Sequence, residues 1–394
     1  MTTTVNNEHK NIKVPNLRFP EFQGEWKVES IKDVADFMGG GTPSSSNESF
    51  WQGTIPWISS SDIVENDIKN ISISRYITEE AIAHSATKLC PAPSILIVSR
   101  VGVGKIALSK EAICTSQDFC NLINIKVEPI FLTYCLSQIM KRKSMEVQGT
   151  SIKGITTSEI QKISINIPSL QEQKKIGKIL SLLDERIATQ NKIIEDLKKL
   201  KSAIIEKLYK EIQGTWYSYR QLFSIINERN KQLEYSNVLS ASQERGMVSR
   251  EDLNLDIHFE RSNISTYKIV KNGDYVIHLR SFQGGFAFSE KTGICSPAYT
   301  VLRPNNLLVY GYLSNYFTSR DFVKSLIIVT YGIRDGRSIN VDEWLDMKVV
   351  IPSKEQQTHI VNVIESIENK IKNEETYSNC LLNQKQYLLR QMFI

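Results

Sequence analysis

The chain has 394 residues, 41% of them hydrophobic and 23% charged, a profile that suits a globular protein with two or three domains and sizeable cores. Forty-eight Lys and Arg stand against 43 Asp and Glu, a net charge of +5, too mild to mark a nucleic-acid binder by itself. No apolar run approaches the roughly 18–20 residues of a membrane helix, the opening MTTTVNNEHKN lacks the apolar stretch of a secretory signal, and six cysteines without a C-x-x-C pair argue against a zinc knuckle or redox motif and for free thiols in a reducing cytoplasm.

In chain order, residues 1–168 read as mixed α and β. Runs 55–59, 71–76, 95–99 and 123–127 are rich in β-branched residues and bounded by Gly, Pro, Ser or Asn, which predicts strands. Residues 131–143 read as a helix. At 169 the pattern changes. After Ile167-Pro168-Ser169 comes an apolar 4–3–4 rhythm of about 40 residues. Proline disfavours helix before itself and serine caps one well, so a coiled-coil-like helix about 60 Å long is predicted over 169–213. Residues 214–352 again mix strand-like runs with possible helices at 307–319 and 321–328. A second Ile-Pro-Ser then opens a second long helix, 353–394. Tryptophans 26, 51, 57 and 216 are expected in cores or packing positions.

The two halves are a repeat. Residues 165–209 align without a gap on 349–393, an offset of 184. Ile167, Pro168, Ser169, Gln173, Ile176, Ile187, Leu197 and Lys201 recur as Ile351, Pro352, Ser353, Gln357, Ile360, Ile371, Leu381 and Lys385. The predicted seam of the first helix is Ile176, Leu180, Leu183, Ile187, Ile194, Leu197, Ile204 and Leu208, interrupted by Gln190 and Lys201. That of the second is Ile360, Ile364, Ile367, Ile371, Leu381, Leu388 and Met392, interrupted by Glu374, Ser378 and Lys385. Two such helices most simply pack on each other antiparallel, because each alone would leave its seam wet. Fainter matches join Gly24-Glu25-Trp26 to Gly214-Thr215-Trp216, SILIVSRVGVGKIALS (94–109) to DYVIHLRSFQGGFAFS (274–289), and 149–165 to 331–349.

Catalytic signatures are missing from the sequence. A phosphate-binding loop fails at Gly104-Lys105, since Ser99 and Ile106 occupy two of its required positions, and Gly39-Gly40-Gly41 lacks dinucleotide-loop spacing. There is no H-E-x-x-H, no G-x-S-x-G, and no Asn-Pro-Pro-aromatic or Asp-Pro-Pro-aromatic run of the kind an adenine amino-methyltransferase uses. The five histidines show no ligand spacing; His84 and His278 suit surface or core roles better than catalysis.

The order of features resembles the specificity subunit of type I restriction-modification systems. The resemblance rests on LRFPEFQGEW (17–26), GGGTPSSSNESFWQGTIPWISSSDI (39–63), SRVGVGKIAL (99–108) and the two Ile-Pro-Ser-x-x-x-Gln helices. The second half departs from it: VLSASQERG (238–246) stands where 55–63 would fall, with no Gly-Thr-Pro before it. The resemblance implies an α+β chain of two tandem α/β target-recognition domains, 1–168 and 214–352, separated by antiparallel coiled-coil helices 169–213 and 353–394. It further implies a non-catalytic cytoplasmic subunit that reads an asymmetric, two-part site on double-stranded DNA. Two methyltransferase subunits and restriction-translocase subunits would be its partners, and S-adenosylmethionine, ATP and Mg would sit on those subunits rather than on this chain. The other readings are a coiled-coil adaptor or scaffold without a DNA role, and the specificity part of a fused nuclease-methyltransferase system.

For a DNA reader, base edges specify and phosphate contacts position. Arg100 and Lys105 flank a glycine turn, and Arg280 stands at the matching point of the second half. Lys141, Arg142, Lys143 and Lys153, and Arg334 with Arg337, lie near glycine-bearing loops. Ser59 and Ser61, like Ser240, Ser242 and Gln243, follow or end strand-like runs and suit base contacts. The alternative is an ordinary hairpin with an exposed arginine and a solvated basic loop.

Overall fold

The computed structural model describes residues 14–148, 154–242, 245–253, 261–278, 285–331 and 338–394. The chain divides into two compact units, Met1–Gln190 with Tyr377–Ile394, and Asn191–Thr376. No helix among the described residues is long and apolar enough to cross a membrane.

In the first unit the strands are β1 (Lys27–Ser30), β2 (Asp36–Gly39), β3 (Ile55–Ile58), β4 (Arg75–Ile77), β5 (Leu89–Cys90), β6 (Ser94–Val98), β7 (Ile106–Ser109), β8 (Ile113–Thr115), β9 (Phe119–Ile123) and β10 (Ser164–Ile167). Helices α1 (Ile31–Val34), α2 (Glu79–Ala83), α3 (Pro129–Gln148) and α4 (Thr157–Gln161) accompany them, and α5 (Leu170–Lys210) follows. The sheets run β2-β9-β6-β7, β4-β3-β8-β5 and the pair β1-β10. All pairings are antiparallel except β3 with β8. Sheet β2-β9-β6-β7 is buried on both faces, as the alternation of β6 shows. Ile95 and Ile97 face the core built on α3 and α5, with Leu122, Phe131 and Leu180, while Leu96 and Val98 face the cluster of Ile58, Ile63 and Ile113.

The second unit holds β11 (Thr215–Ser218), β12 (Phe223–Ile226), β13 (Leu239–Ser242), β14 (Gly246–Ser249), β15 (Lys268–Val270), β16 (Tyr275–Ile277), β17 (Phe286–Phe288), β18 (Gly293–Cys295), β19 (Thr300–Pro304), β20 (Thr330–Tyr331), β21 (Ser338–Ile339) and β22 (Lys348–Ile351). Its helices are α6 (Tyr219–Leu222), α7 (Arg320–Ser325), α8 (Val341–Asp346) and the start of α9 (Lys354–Gln391). The order β12-β19-β16-β17 repeats that of the first unit, as does the pair β11-β22. Its core is aromatic: Tyr219 stacks on Trp344 at 4.3 Å and 10°, with Phe223, Phe286, Phe317 and Phe322 around them.

The long helices are capped as the sequence predicts. Ser169 accepts from the amide of Glu172, and Ser353 from that of Gln356. In each unit the two helices run antiparallel. In the first, Leu183 and Ile187 meet Leu381 and Leu388, and Ile176 and Leu180 share a core with Leu389 and Met392. In the second, Ile205 packs with Ile360 and Ile364. The buried seam departs from the predicted one where strict 4–3 counting drifts from a straight helix. Ile205 is buried and Ile204 half-buried, and Leu389 is buried and Leu388 half-buried; Ile194, Leu197, Leu208 and Ile367 are also half-buried, whereas Ile371 is buried.

Four sequence expectations need correction. Run 123–127 is not a strand: β9 ends at Ile123, because Asn124 takes φ +49 and turns the chain. Run 71–76 is broken, with a single bridge at Ile71 before β4. Residues 307–319 form turns and a short 3-10 helix, Tyr316–Thr318, with Gly311 at φ +72 among them. Trp216 is not a core residue; it is 64% exposed. Its match to Trp26 was two residues out of register. Ser30 and Ser218 both cap the helix that follows, and Lys27 pairs with Ile167 as Thr215 pairs with Ile351. Trp216 therefore takes the place of Val28, which is also exposed. Trp26 and Trp57 are buried and Trp51 half-buried.

Candidate nucleic-acid interface

The hairpin between β6 and β7 carries Arg100, exposed, and Lys105, half-buried, whose ammonium donates to the Ser60 carbonyl at 3.2 Å. Gly102 and Gly104 adopt φ +86 and +102, where a side chain would be strained. They serve different ends. A Cβ on Gly102 would meet the Lys105 and Val98 side chains only at ordinary van der Waals distance, whereas one on Gly104 would lie 2.8 Å from the Ser144 Cβ. Gly104 thus lets the hairpin close onto α3.

That closure brings candidates together from distant positions. Lys105, Lys141 and Arg142 line one groove of about 760 Å³ in the first unit, with Asn66 and Ser144. Lys141 reaches the Asn66 side chain at 3.4 Å. Lys143 is half-buried and partnered. Ser59 caps the 3-10 turn Ser60–Asp62, and its hydroxyl accepts from Arg75 at 2.7 Å. Arg75 also pairs with Asp62 and lies over the Trp57 ring at 4.6 Å. Ser59 is therefore held in place by its neighbours, and Ser61, exposed and 2.9 Å from it, is the freer hydroxyl. Arg75 carried no signal in a sequence read for glycine loops.

In the second unit Ser240 and Ser242 lie on β13, opposite Val248 and Gly246. Ser242 accepts from the amide of Arg245, an exposed residue of the turn that sequence reasoning passed over. Beside this hairpin Tyr299 packs edge-on against His278 at 5.0 Å. Its hydroxyl is raised above the usual range, mainly by burial. Lys153, Gln243, Arg280, Arg334 and Arg337 lie outside the described residues.

Five of the six cysteines, all but the exposed Cys380, are buried and suit packing rather than chemistry. Burial pushes the Cys90 thiol up to about 11 and those of Cys114 and Cys295 to about 12, so they stay protonated and unreactive at neutral pH. Among the described residues no group of His, Cys, Asp or Glu is arranged to hold a metal ion.

Both Ile-Pro-Ser-x-x-x-Gln motifs perform one mechanical task. Gln173 and Gln357 are buried, and each side-chain amide donates to the proline carbonyl five residues back, at 2.8 and 3.0 Å. Each side-chain oxygen accepts a backbone amide of the adjoining globular part, from Glu128 at 2.9 Å and from Val309 at 2.8 Å. The glutamine pins helix to domain in both units.

Residues 23–199 match the family model described as "Type I restriction modification DNA specificity domain". The chain is 31% identical over 229 residues to the type I restriction enzyme MjaIX specificity subunit of Methanocaldococcus jannaschii, covering 56% of this chain and 49% of that one. It is 32% identical over 221 residues to the EcoR124I/EcoR124II specificity subunit of Escherichia coli, covering 54% and 52%. The chain thus spans about half the length of these relatives. A crystal structure of a type I restriction-modification system S subunit from M. genitalium shares the fold, with a TM-score of 0.56 over 97% of this chain and 99% of that one, at 15% identity. Residues 23–199 are therefore similar to a type I restriction modification DNA specificity domain, and over about half its length the chain is similar to type I restriction enzyme specificity subunits.

Proposed function

We propose that the chain is the sequence-reading, non-catalytic subunit of a type I complex, directing adenine methylation and ATP-dependent cleavage by partner subunits to an asymmetric, two-part DNA site. The observation that carries this is the repetition within one chain of a single scaffold, with sheet orders β2-β9-β6-β7 and β12-β19-β16-β17, under different outer surfaces. Two readers of different half-sites need that combination. Target-recognition domains 1–168 and 214–352 would each read one half. The helices 169–213 and 353–394 would set the gap and dock two methyltransferase subunits. S-adenosylmethionine, ATP and Mg belong to the partner subunits in this scheme.

Long-read mapping of adenine methylation in host DNA tests the proposal. One gapped motif should vanish when this chain is deleted and return on complementation; an unchanged set of motifs would refute it. The purified chain alone should neither methylate nor cleave, and turnover by partner-free protein would overturn the division of labour.

A further inference from the structure

The groove that gathers Lys105, Lys141 and Arg142 has another wall, made by the last turns of α9. Lys385, Gln386 and Arg390 line it there. Lys385 is not available to a ligand: it is 13% exposed and pairs with Asp184 at 2.5 Å, while the Tyr134 hydroxyl donates to the other oxygen of that carboxylate at 2.5 Å. Arg390 differs. It is exposed, and its guanidinium makes no ion pair or hydrogen bond among the described residues. Arg142, across the groove, is also exposed and likewise without such a partner. Among the described residues Glu65 is the one acidic side chain in the lining.

An open groove whose cations come from the hairpin, α3 and α9 matches an extended polyanion better than a small one, for which donors converge on a point. We propose that this groove binds the phosphodiester backbone of duplex DNA, with Arg390 of the final helix as a phosphate contact opposite Arg142. The inference rests on the chain being a DNA reader, and adds a contact supplied by Arg390, a residue outside both target-recognition segments. A guanidinium suits it, being always charged and weakly hydrated. Arg390 also sits in the last turn of α9, where a cation favours the helix's carbonyl end, so the test must separate stability from binding.

Fluorescence anisotropy of the full-length chain on a labelled duplex, titrated over a range of salt, does so. Each neutralised phosphate contributes about 0.9 to the slope of log K against log salt. Arg390→Gln and Arg142→Gln should each lower that slope by about one, weakening cognate and unrelated duplexes alike by roughly eightfold at 0.1 M salt. Arg390→Lys should keep the slope. A folded Arg390→Gln protein with an unchanged slope overturns the groove assignment while leaving the DNA-reading proposal intact. Displacement of duplex from the wild-type chain by pyrophosphate at matched ionic strength, lost in Arg390→Gln, would make this a small-anion site and also overturn it. A wild-type chain that binds no duplex at any salt defeats the broader proposal instead.

Discussion

The two units keep the same parts in contact with the long helices and differ away from them. In both, a glutamine pins helix to domain, a four-stranded sheet repeats its order, and a capped short helix follows the first strand. Away from the helices the first unit adds a second four-stranded sheet, whereas the second has separate strand pairs, among them β13-β14 and β15-β18. The fourth turn of α3 carries Lys141-Arg142-Lys143, but the corresponding stretch of the second unit exposes Ile327 and Ile328 at 59% and 75%. Packing against the long helices restrains sequence, and the surfaces away from them are where the two units differ.

The cores offer the largest test of this comparison. The second unit is held by stacked rings, the first mostly by aliphatic side chains. Trp344→Ala should destabilise the second unit by about 3–5 kcal/mol, read as an early transition in urea unfolding followed by tryptophan fluorescence. Trp344→Phe should cost much less, since the buried indole N–H has no hydrogen-bond partner among the described residues. Equal losses for the two variants would mean that the ring stack is not what holds this unit.

A smaller effect distinguishes the units by an ion pair that the first alone possesses. Glu172 is 1% exposed and accepts from two Arg18 nitrogens, Nε and Nη2, each at 2.8 Å. At the repeat position the second helix has Gln356, which is exposed. Arg18→Ala strands a buried carboxylate and should cost about 3 kcal/mol, with Glu172→Gln in the same chain recovering part of it. If Arg18→Ala unfolds with the wild-type midpoint, the pair is incidental.

Much of this architecture is legible in the amino-acid order. The apolar rhythm, the Ile-Pro-Ser starts and the Lys201/Lys385 recurrence place both helices, and β-branched runs place β3 and β6. What escapes reading depends on distant partners. Nothing local tells that Arg18 will find Glu172, or that Arg390 will share a groove with Arg142. Trp216 misleads because a conspicuous residue two places away outweighs the quieter match of Ser30 with Ser218, which cap geometry settles. Residues 307–319 carry helix-compatible side chains, but Gly311 leaves the helical region and tertiary packing of Tyr312 and Phe317 decides the rest.

The smallest effect bears on whether the repeats are interchangeable. Lys201 and Lys385 interrupt the apolar seams at matching positions, and so do their partners: Asp184 and Glu368 are 184 residues apart, like the lysines. Lys201 pairs with Glu368 at 2.6 Å in the second unit and Lys385 with Asp184 at 2.5 Å in the first. The lysines therefore do not face each other; each meets the acid of the opposite copy. The pairs differ in burial, 26% and 43% exposed in one and 13% and 14% in the other. Lys385→Ala should cost about 2 kcal/mol and Lys201→Ala below about 1, by urea unfolding of the full chain. The same arithmetic governs a fragment ending at Gln213. Two copies packed antiparallel through α5 would set Lys201 of each against Asp184 of the other, which favours association rather than repulsion, under two-fold symmetry. The fragment should dimerise by light scattering, and with methyltransferase subunits should methylate an interrupted palindrome. Lys201→Asp should weaken the dimer and Asp184→Lys added to it should restore it. A fragment that stays monomeric at high micromolar concentration, or a double variant no better than the single, would show that the second helix has diverged beyond exchange with the first.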